Sequence, residues 1–153
     1  MAVCFTKYEG AIEYAEDAVI EFPRGLFAFE EETRFLLIER PSLSPLVYLQ
    51  SLSTPELCFL ALPVFVVCGD YELALCPGDL TEIGLPGDSA PRIGSDVLCL
   101  VLLTIRENRP TTANLMAPVT IGLHNRKGLQ AICERRYSHQ HVFPELHEEA
   151  ACS

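Results

Sequence analysis

Long hydrophobic runs are missing from this chain of 153 residues. The longest, at residues 97–105, is interrupted only by Thr104 and has about half of the roughly 20 residues needed to span a bilayer. The amino terminus has no basic segment leading into an apolar one, so we expect no secretory signal. With 49% hydrophobic and 21% charged residues, the composition is typical of one soluble, folded domain.

Basic residues are also scarce. Lysine and arginine number 11 against 21 acidic residues, which gives a net charge of −10. Residues 1–100 hold 5 basic and 16 acidic residues, a net of −11, whereas residues 101–153 have a net of +1. The acidic part would repel phosphate backbones, which argues against nucleic-acid binding, and it would attract a basic protein. The alternative is that surface acid only keeps the protein soluble.

Local signatures of catalysis and of cofactor binding are absent. The chain has no G-x-S-x-G sequence, and its glycines do not form a phosphate-binding loop. The densest acidic cluster, at residues 30–32, is more typical of a solvated or partner-attracting face than of acid–base catalysis. His139 and His141 can chelate a metal, but a solvated role is favoured because a polar tail lacks the side chains that orient ligands. We therefore expect no enzyme, cofactor or metal.

Cysteine pairs with metal-site spacing are missing too. The seven cysteines, an odd number, lie at positions 4, 58, 68, 76, 99, 133 and 152, and no two form a C-x₂₋₄-C pair. Most have apolar neighbours, as a buried, reduced thiol does. The number, spacing and apolar neighbours of the cysteines predict a cytoplasmic protein with free thiols.

The chain does contain many short apolar segments, which are separated by turn residues. A hairpin is predicted at residues 3–8 and 11–14, and further strands at 34–38, 46–50, 58–62, 71–75, 96–105, 119–123 and 129–133. One short helix is predicted at 78–85, with Asp79 as its cap and Gly84 near its end. The pattern predicts an all-β fold, a single antiparallel β-barrel-like domain with one or two short helices. We place the domain at residues 1–137 and a polar, mobile tail at 138–153.

Several side chains have both a structural and a functional interpretation. At least one ring among Phe22, Phe27 and Phe29 is expected to anchor its loop to the core, and another can face a partner. Tyr48 and Gln50 share one face of a strand, which is either a plain polar exterior or a recognition surface. Asn114 is expected to hold a bend by bonding to nearby backbone, and Pro118 to end pairing or lie at a bulge.

Five short sequence blocks follow one another along the chain: FPRGL at 22–26, YLQS at 48–51, DYE at 70–72, TANLMAP at 112–118 and NRKGLQ at 125–130. In this order they resemble the FliW family of flagellar assembly factors. The family often has tryptophan where Tyr48 stands, glycine where Ala28 stands, and proline where Gly69 stands. The resemblance implies a small, mostly β, non-enzymatic protein of the cytoplasm.

The resemblance also implies two protein partners. Members of this family bind flagellin before export and bind CsrA, a small basic RNA-binding repressor of flagellin translation. Sequestering CsrA relieves repression, and accumulating flagellin releases it. The alternative is a chaperone-like β module that binds another protein without a link to CsrA. We predict the partner contacts among acidic and neighbouring polar residues: Glu30, Glu31, Glu32, Tyr48, Gln50, Asp70, Tyr71 and Glu72.

Overall fold

The computed structural model describes residues 2–133 and 137–142. This part of the chain contains eleven strands, two short α-helices and two 3₁₀ turns. The strands are β1 (Ala2–Thr6), β2 (Gly10–Tyr14), β3 (Ile20–Glu21), β4 (Arg34–Glu39), β5 (Val47–Ser51), β6 (Cys58–Pro63), β7 (Val97–Thr104), β8 (Thr112–Ala113), β9 (Val119–Gly122), β10 (Gly128–Gln130) and β11 (His141–Val142). The helices are α1 (Val64–Val67) and α2 (Pro77–Glu82), and the 3₁₀ turns are Glu16–Ala18 and Pro41–Leu43.

One antiparallel sheet dominates the fold. Its order is β10-β9-β7-β6-β5-β4-β3, and β8 and β11 extend it alongside the end of β7. Within the described residues the edges β3 and β10 approach each other at a single parallel bridge, between Glu21 and Lys127. The predicted all-β class is confirmed. A closed barrel is not formed, because β3 has only two residues and meets a turn rather than a continuous strand.

Both faces of the middle strands are covered. Along β4, Phe35 faces the main core, which also contains Phe22, Leu49 and Leu100. Its neighbour Leu36 points to the opposite face, because successive strand side chains alternate. The predicted hairpin is observed as β1 and β2, which pair from Ala2 with Tyr14 to Thr6 with Gly10. The hairpin packs over that second face, so the face is not exposed to solvent.

The block TANLMAP at residues 112–118 forms a bulge beside β7. Leu100 of β7 pairs with Val119 of β9, whereas Leu103 of β7 pairs with Ala113 of β8. The five residues 114–118 therefore bulge out opposite only two residues of β7, 101 and 102. The Asn114 side-chain oxygen accepts a 3.0 Å hydrogen bond from the N–H of Ala117. The predicted bend at Asn114 is confirmed, and Pro118 lies within the bulge.

The predicted strand at 71–75 is not formed. The segment alternates between buried and exposed side chains, but no strand of the described residues pairs with it. The predicted helix is observed as α2, and Gly84, with a φ of 83°, follows its end. Asp79 is not its cap: Cys76 precedes the helix, and the Asp79 carboxylate pairs with Arg24 at 3.1 Å.

The segment 137–142 packs on the domain. The N–H of Leu115 donates a 3.0 Å hydrogen bond to the carbonyl of Ser138. β11 pairs with β8, from His141 with Ala113 to Val142 with Thr112. Residues 138–142, which we predicted to belong to a mobile tail, therefore take part in the fold. The rest of that prediction, at 143–153, lies outside the described residues.

Six of the seven cysteines lie in the described residues, where they are free thiols. Burial raises the pKa of the Cys99 thiol to about 12 and that of Cys58 to about 11, so both are protonated and unreactive near neutral pH. Cys152 falls outside the described residues. No helix in the described parts of the chain is long and apolar enough to cross a membrane.

Candidate partner-binding surface

The segment between β3 and β4 forms a compact loop anchored by one aromatic ring. Phe22 is completely buried, and its backbone N–H donates a 2.8 Å hydrogen bond to the carbonyl of Thr33. Gly25 has a φ of 66°, and a Cβ there would lie 2.5 Å from the backbone of Glu30. Only glycine fits that position. The predicted anchoring of the loop by one ring is confirmed for Phe22.

The tip of this loop exposes two aromatic rings beside two carboxylates. Phe27 is 47% exposed and Phe29 is 39% exposed, and the Phe29 ring meets Phe59 edge-on with the centroids 5.2 Å apart. Glu30 and Glu31 are exposed and form no ion pair within the described residues. We call residues 27–31 the acidic–aromatic loop. Exposed rings among uncompensated carboxylates are suited to a basic protein surface.

Glu32 has a structural role instead. Its carboxylate accepts hydrogen bonds from the hydroxyls of Ser51 and Thr54, the latter at 2.8 Å. The same Ser51 hydroxyl accepts from the N–H of Thr54 at 3.0 Å. Glu32 therefore ties the base of the loop to the turn between β5 and β6. Because its carboxylate is already engaged, Glu32 is less available to a partner than Glu30 and Glu31.

Tyr48 lies on the opposite face of β5 from this loop. Phe59, which contacts Phe29, pairs with Leu49, so the adjacent Tyr48 points to the other side of the sheet. The Tyr48 ring is partly buried and stacks on Tyr8, with the centroids 5.3 Å apart. Burial, and then the charge of Glu9, raises the pKa of its phenol. Tyr48 and the acidic–aromatic loop do not form one continuous surface.

Gln50 is fully buried, contrary to the exposure that a direct contact requires. Its side-chain oxygen accepts a 3.1 Å hydrogen bond from the N–H of Lys7 in the hairpin turn. Its nitrogen donates to the carbonyls of Pro55 and Leu57 at 3.0 and 3.1 Å. The prediction that Gln50 faces a partner is corrected, because the β1–β2 hairpin covers the face on which it lies.

The remaining predicted contacts surround a buried tyrosine. Tyr71 is only 4% exposed, and its hydroxyl donates a 2.7 Å hydrogen bond to the carbonyl of Leu115. Burial raises the pKa of this phenol, so it stays protonated and donating. Asp70 and Glu72 are exposed on either side of it, and the Asp70 carboxylate accepts from the Cys68 thiol at 3.2 Å. Tyr71 is therefore removed from the contact surface, whereas Asp70 and Glu72 stay candidates.

Ala28 lies at the tip of the loop in a strained conformation. Its φ is 70°, in the left-handed region that costs roughly 1–2 kcal/mol for residues other than glycine. This conformation explains why glycine suits the position. It also gives the loop tip a fixed turn between Phe27 and Phe29, and the N–H and carbonyl of Phe29 bond back to Leu26.

We expect Ala28→Gly to raise the free energy of unfolding, by up to about 1 kcal/mol. Relief of the left-handed strain is partly offset by the greater entropy that glycine loses on folding. Urea unfolding of the variant measures the change. Ala90→Gly, at an exposed alanine without a positive φ, is the matched control and should not stabilise. Equal destabilisation by both substitutions would contradict the strain at Ala28.

A cleft beside α2 was not predicted from the sequence. It measures about 500 Å³, within the usual range for ligand-binding clefts, and its walls are residues 74–76 and 130–132 together with Arg24, Phe27 and Asp79. Ile132, on one wall, is 53% exposed. The signal was present in the sequence: residues 129–133 alternate in a strand pattern that leaves this large apolar side chain on the outer face.

Comparison with known proteins gives one consistent result. Residues 4–143 match the family model described as FliW protein. The flagellar assembly factor FliW of Geobacillus thermodenitrificans (strain NG80-2) is 36% identical over 143 residues, which cover 92% of this chain and 94% of that protein. The factor of the same name from Syntrophomonas wolfei subsp. wolfei is 37% identical over 124 residues, covering 80% and 76%. A crystal structure of the flagellar assembly factor FliW superposes with a TM-score of 0.82 at 34% identity, covering 95% of this chain and 99% of that one.

Proposed function

This chain belongs to the FliW family of flagellar assembly factors, and we propose that it acts in the cytoplasm by binding two proteins in turn. One is a basic, CsrA-type repressor of flagellin translation, and the other is flagellin. Free protein sequesters the repressor and allows translation. Flagellin that accumulates before export occupies the protein and releases the repressor.

The acidic–aromatic loop is the observation that carries the repressor-binding half of this proposal. Three arginines in the acidic part of the chain are already paired with other carboxylates: Arg24 with Asp79 and Glu82, Arg34 with Glu16, and Arg40 with Glu9. Glu30 and Glu31 have no such partner in the described part of the chain. An uncompensated acidic patch on a protein of net charge −10 attracts a basic partner over a long range.

Short-range recognition is assigned to the rings beside these carboxylates. Phe27 and Phe29 supply apolar area that a partner can bury, and aromatic side chains are frequent at the centres of interfaces. Tyr48, Asp70 and Glu72 stay candidate contacts on other parts of the surface. Because the loop and Tyr48 lie on opposite faces of the sheet, one small partner is not expected to contact both.

We expect the double substitution of Glu30 and Glu31 with glutamine to slow association with the CsrA-type repressor about tenfold at low salt. Removing two steering charges lowers the encounter rate and weakens its salt dependence, while dissociation changes little. Stopped-flow or surface-plasmon measurements at several salt concentrations give both rates. The repressor used should come from the same bacterium.

Glu13→Gln combined with Asp17→Asn is the matched control. Both residues are exposed and lie outside the loop, and the change in net charge is the same. Equal slowing by the two double variants would show that net charge, rather than the loop, attracts the repressor. If the unmodified protein does not bind the repressor at low salt, the translational role is wrong, and a chaperone-like module with another partner is the remaining function.

A further inference from the structure

We propose that the cleft beside α2 binds an extended, mainly apolar segment of a protein partner, which adds to the fold as an extra strand. One wall of the cleft is formed by residues 74–76 of the extended segment 73–76, and the other by residues 130–132 at the end of β10 and just beyond it. Phe27 also lines the cleft. The inference deepens the proposed function, on which it rests for the identity of the partner.

The first wall is a strand without a strand neighbour. Its side chains alternate as a strand requires: Tyr71 is buried, Glu72 and Ala74 are exposed, and Leu73 and Leu75 are half-buried. Within residues 2–133 and 137–142, the N–H groups of Leu73, Ala74 and Leu75 donate no hydrogen bond. The carbonyl of Ala74 accepts a 3.6 Å hydrogen bond from the Cys133 thiol, but no strand of the described residues pairs with this segment.

The second wall is an open sheet edge. β10 ends the order of the sheet, and beyond it the N–H groups of Ala131 and Cys133 donate inward to the carbonyls of Pro118 and Met116 at 3.0 and 2.6 Å. The N–H and carbonyl of Ile132 therefore point outward, and neither is paired in the described residues. Exposed edges are commonly protected by charges or proline, and residues 128–133 contain neither.

The charges around the cleft indicate the kind of segment that fits. Among the described residues, the charged side chains that line the cleft are Arg24 and Asp79, which pair at 3.1 Å, and Arg24 also pairs with Glu82 at 2.7 Å. A neutral segment with apolar side chains at alternate positions suits this environment, because main-chain hydrogen bonds provide the affinity and alternate pockets the specificity. A strongly basic surface is matched better by the acidic–aromatic loop. We therefore assign the cleft to flagellin and the loop to the repressor.

The test replaces Ala74, an exposed residue on the first wall, with proline. Proline removes the N–H donor and blocks strand addition, whereas Ala74→Ser keeps the donor and serves as the control. We expect Ala74→Pro to weaken binding of flagellin from the same bacterium at least about tenfold, and Ala74→Ser to leave it unchanged. Binding of the repressor should be unaffected in both. Calorimetry measures the affinities, and circular dichroism and the unfolding temperature show that each variant is folded.

Hydrogen exchange provides a second measurement that needs no variant. In the unmodified protein, the amides of residues 74 and 132 should become protected when flagellin is added, because these two N–H groups lie on the edges that face the cleft and gain acceptors. If flagellin binds without protecting these amides, or binds Ala74→Pro as tightly as the original, the strand-addition site is wrong while the proposed function stands. If the unmodified protein does not bind flagellin, the partner assignment and that half of the proposed function both fail.

Discussion

Replacing Tyr71 with alanine is expected to lower the free energy of unfolding by about 3–5 kcal/mol, the usual cost of removing a large buried aromatic ring. The ring is 4% exposed and stacks on Tyr137 with the centroids 4.2 Å apart. Its hydroxyl holds the carbonyl of Leu115, which lies in the bulge beside β7. Loss of this side chain therefore removes both the hydrogen bond to the bulge and the stacking on Tyr137, and leaves the bond from the N–H of Glu72 to the Tyr137 hydroxyl, at 2.8 Å, to hold the segment.

Tyr71→Phe separates the ring from its hydroxyl. It keeps the buried ring and the stacking on Tyr137, and leaves only the carbonyl of Leu115 without its donor, so we expect a loss of about 1–3 kcal/mol. Urea unfolding of both variants gives the two values. A Tyr71→Ala variant that unfolds like the original but binds a partner poorly would contradict the internal role and restore Tyr71 as a contact.

Much of the sheet could be predicted because its signals are local. β4, β5 and β6 each show the apolar alternation or β-branched and aromatic content of strands, and they were placed within a residue or two at each end. The segment 71–75 carries the same signal but no strand, since strand formation also depends on a neighbour in the sheet. The approach of the two sheet edges depends on the contact of Glu21 with Lys127, which are far apart in the sequence, and local patterns do not report such contacts.

The candidate site was predictable only where exposure follows from the residues themselves. Three consecutive glutamates in a loop favour solvent, and two of them, Glu30 and Glu31, are exposed. The third, Glu32, is engaged by the hydroxyls of Ser51 and Thr54, about 20 residues further along the chain. Nothing in its immediate sequence distinguishes it from the other two. The five ordered blocks identified the family correctly, but several of them serve the fold rather than a partner.

The burial of Gln50 shows why a polar residue on an alternating strand is a weak indicator of a binding surface. The alternation of the strand correctly predicts that Tyr48 and Gln50 share a face. It does not predict which other part of the chain covers that face. The β1–β2 hairpin, whose Lys7 lies 43 residues earlier in the chain, covers it and uses Gln50 to hold its own turn. A glutamine amide suits this task, because it accepts from one segment and donates to another at the same time.

Gln50→Ala is accordingly expected to destabilise the protein by about 3 kcal/mol, with the damage centred on the hairpin. The substitution deletes a fully buried side chain and leaves the N–H of Lys7 and the carbonyl of Pro55, both in part-buried hydrogen bonds, without their partners. Each lost bond costs about 1 kcal/mol, and the cavity adds to this. Hydrogen exchange should show faster exchange in β1 and β2, while β7 and β9 keep their protection relative to global unfolding. Gln50→Met is the matched control. It retains most of the side-chain volume, so the stability that this variant loses reports the missing hydrogen bonds without the cost of a cavity. Unchanged stability of both variants, combined with weaker partner binding, would show that Gln50 acts at an interface after all.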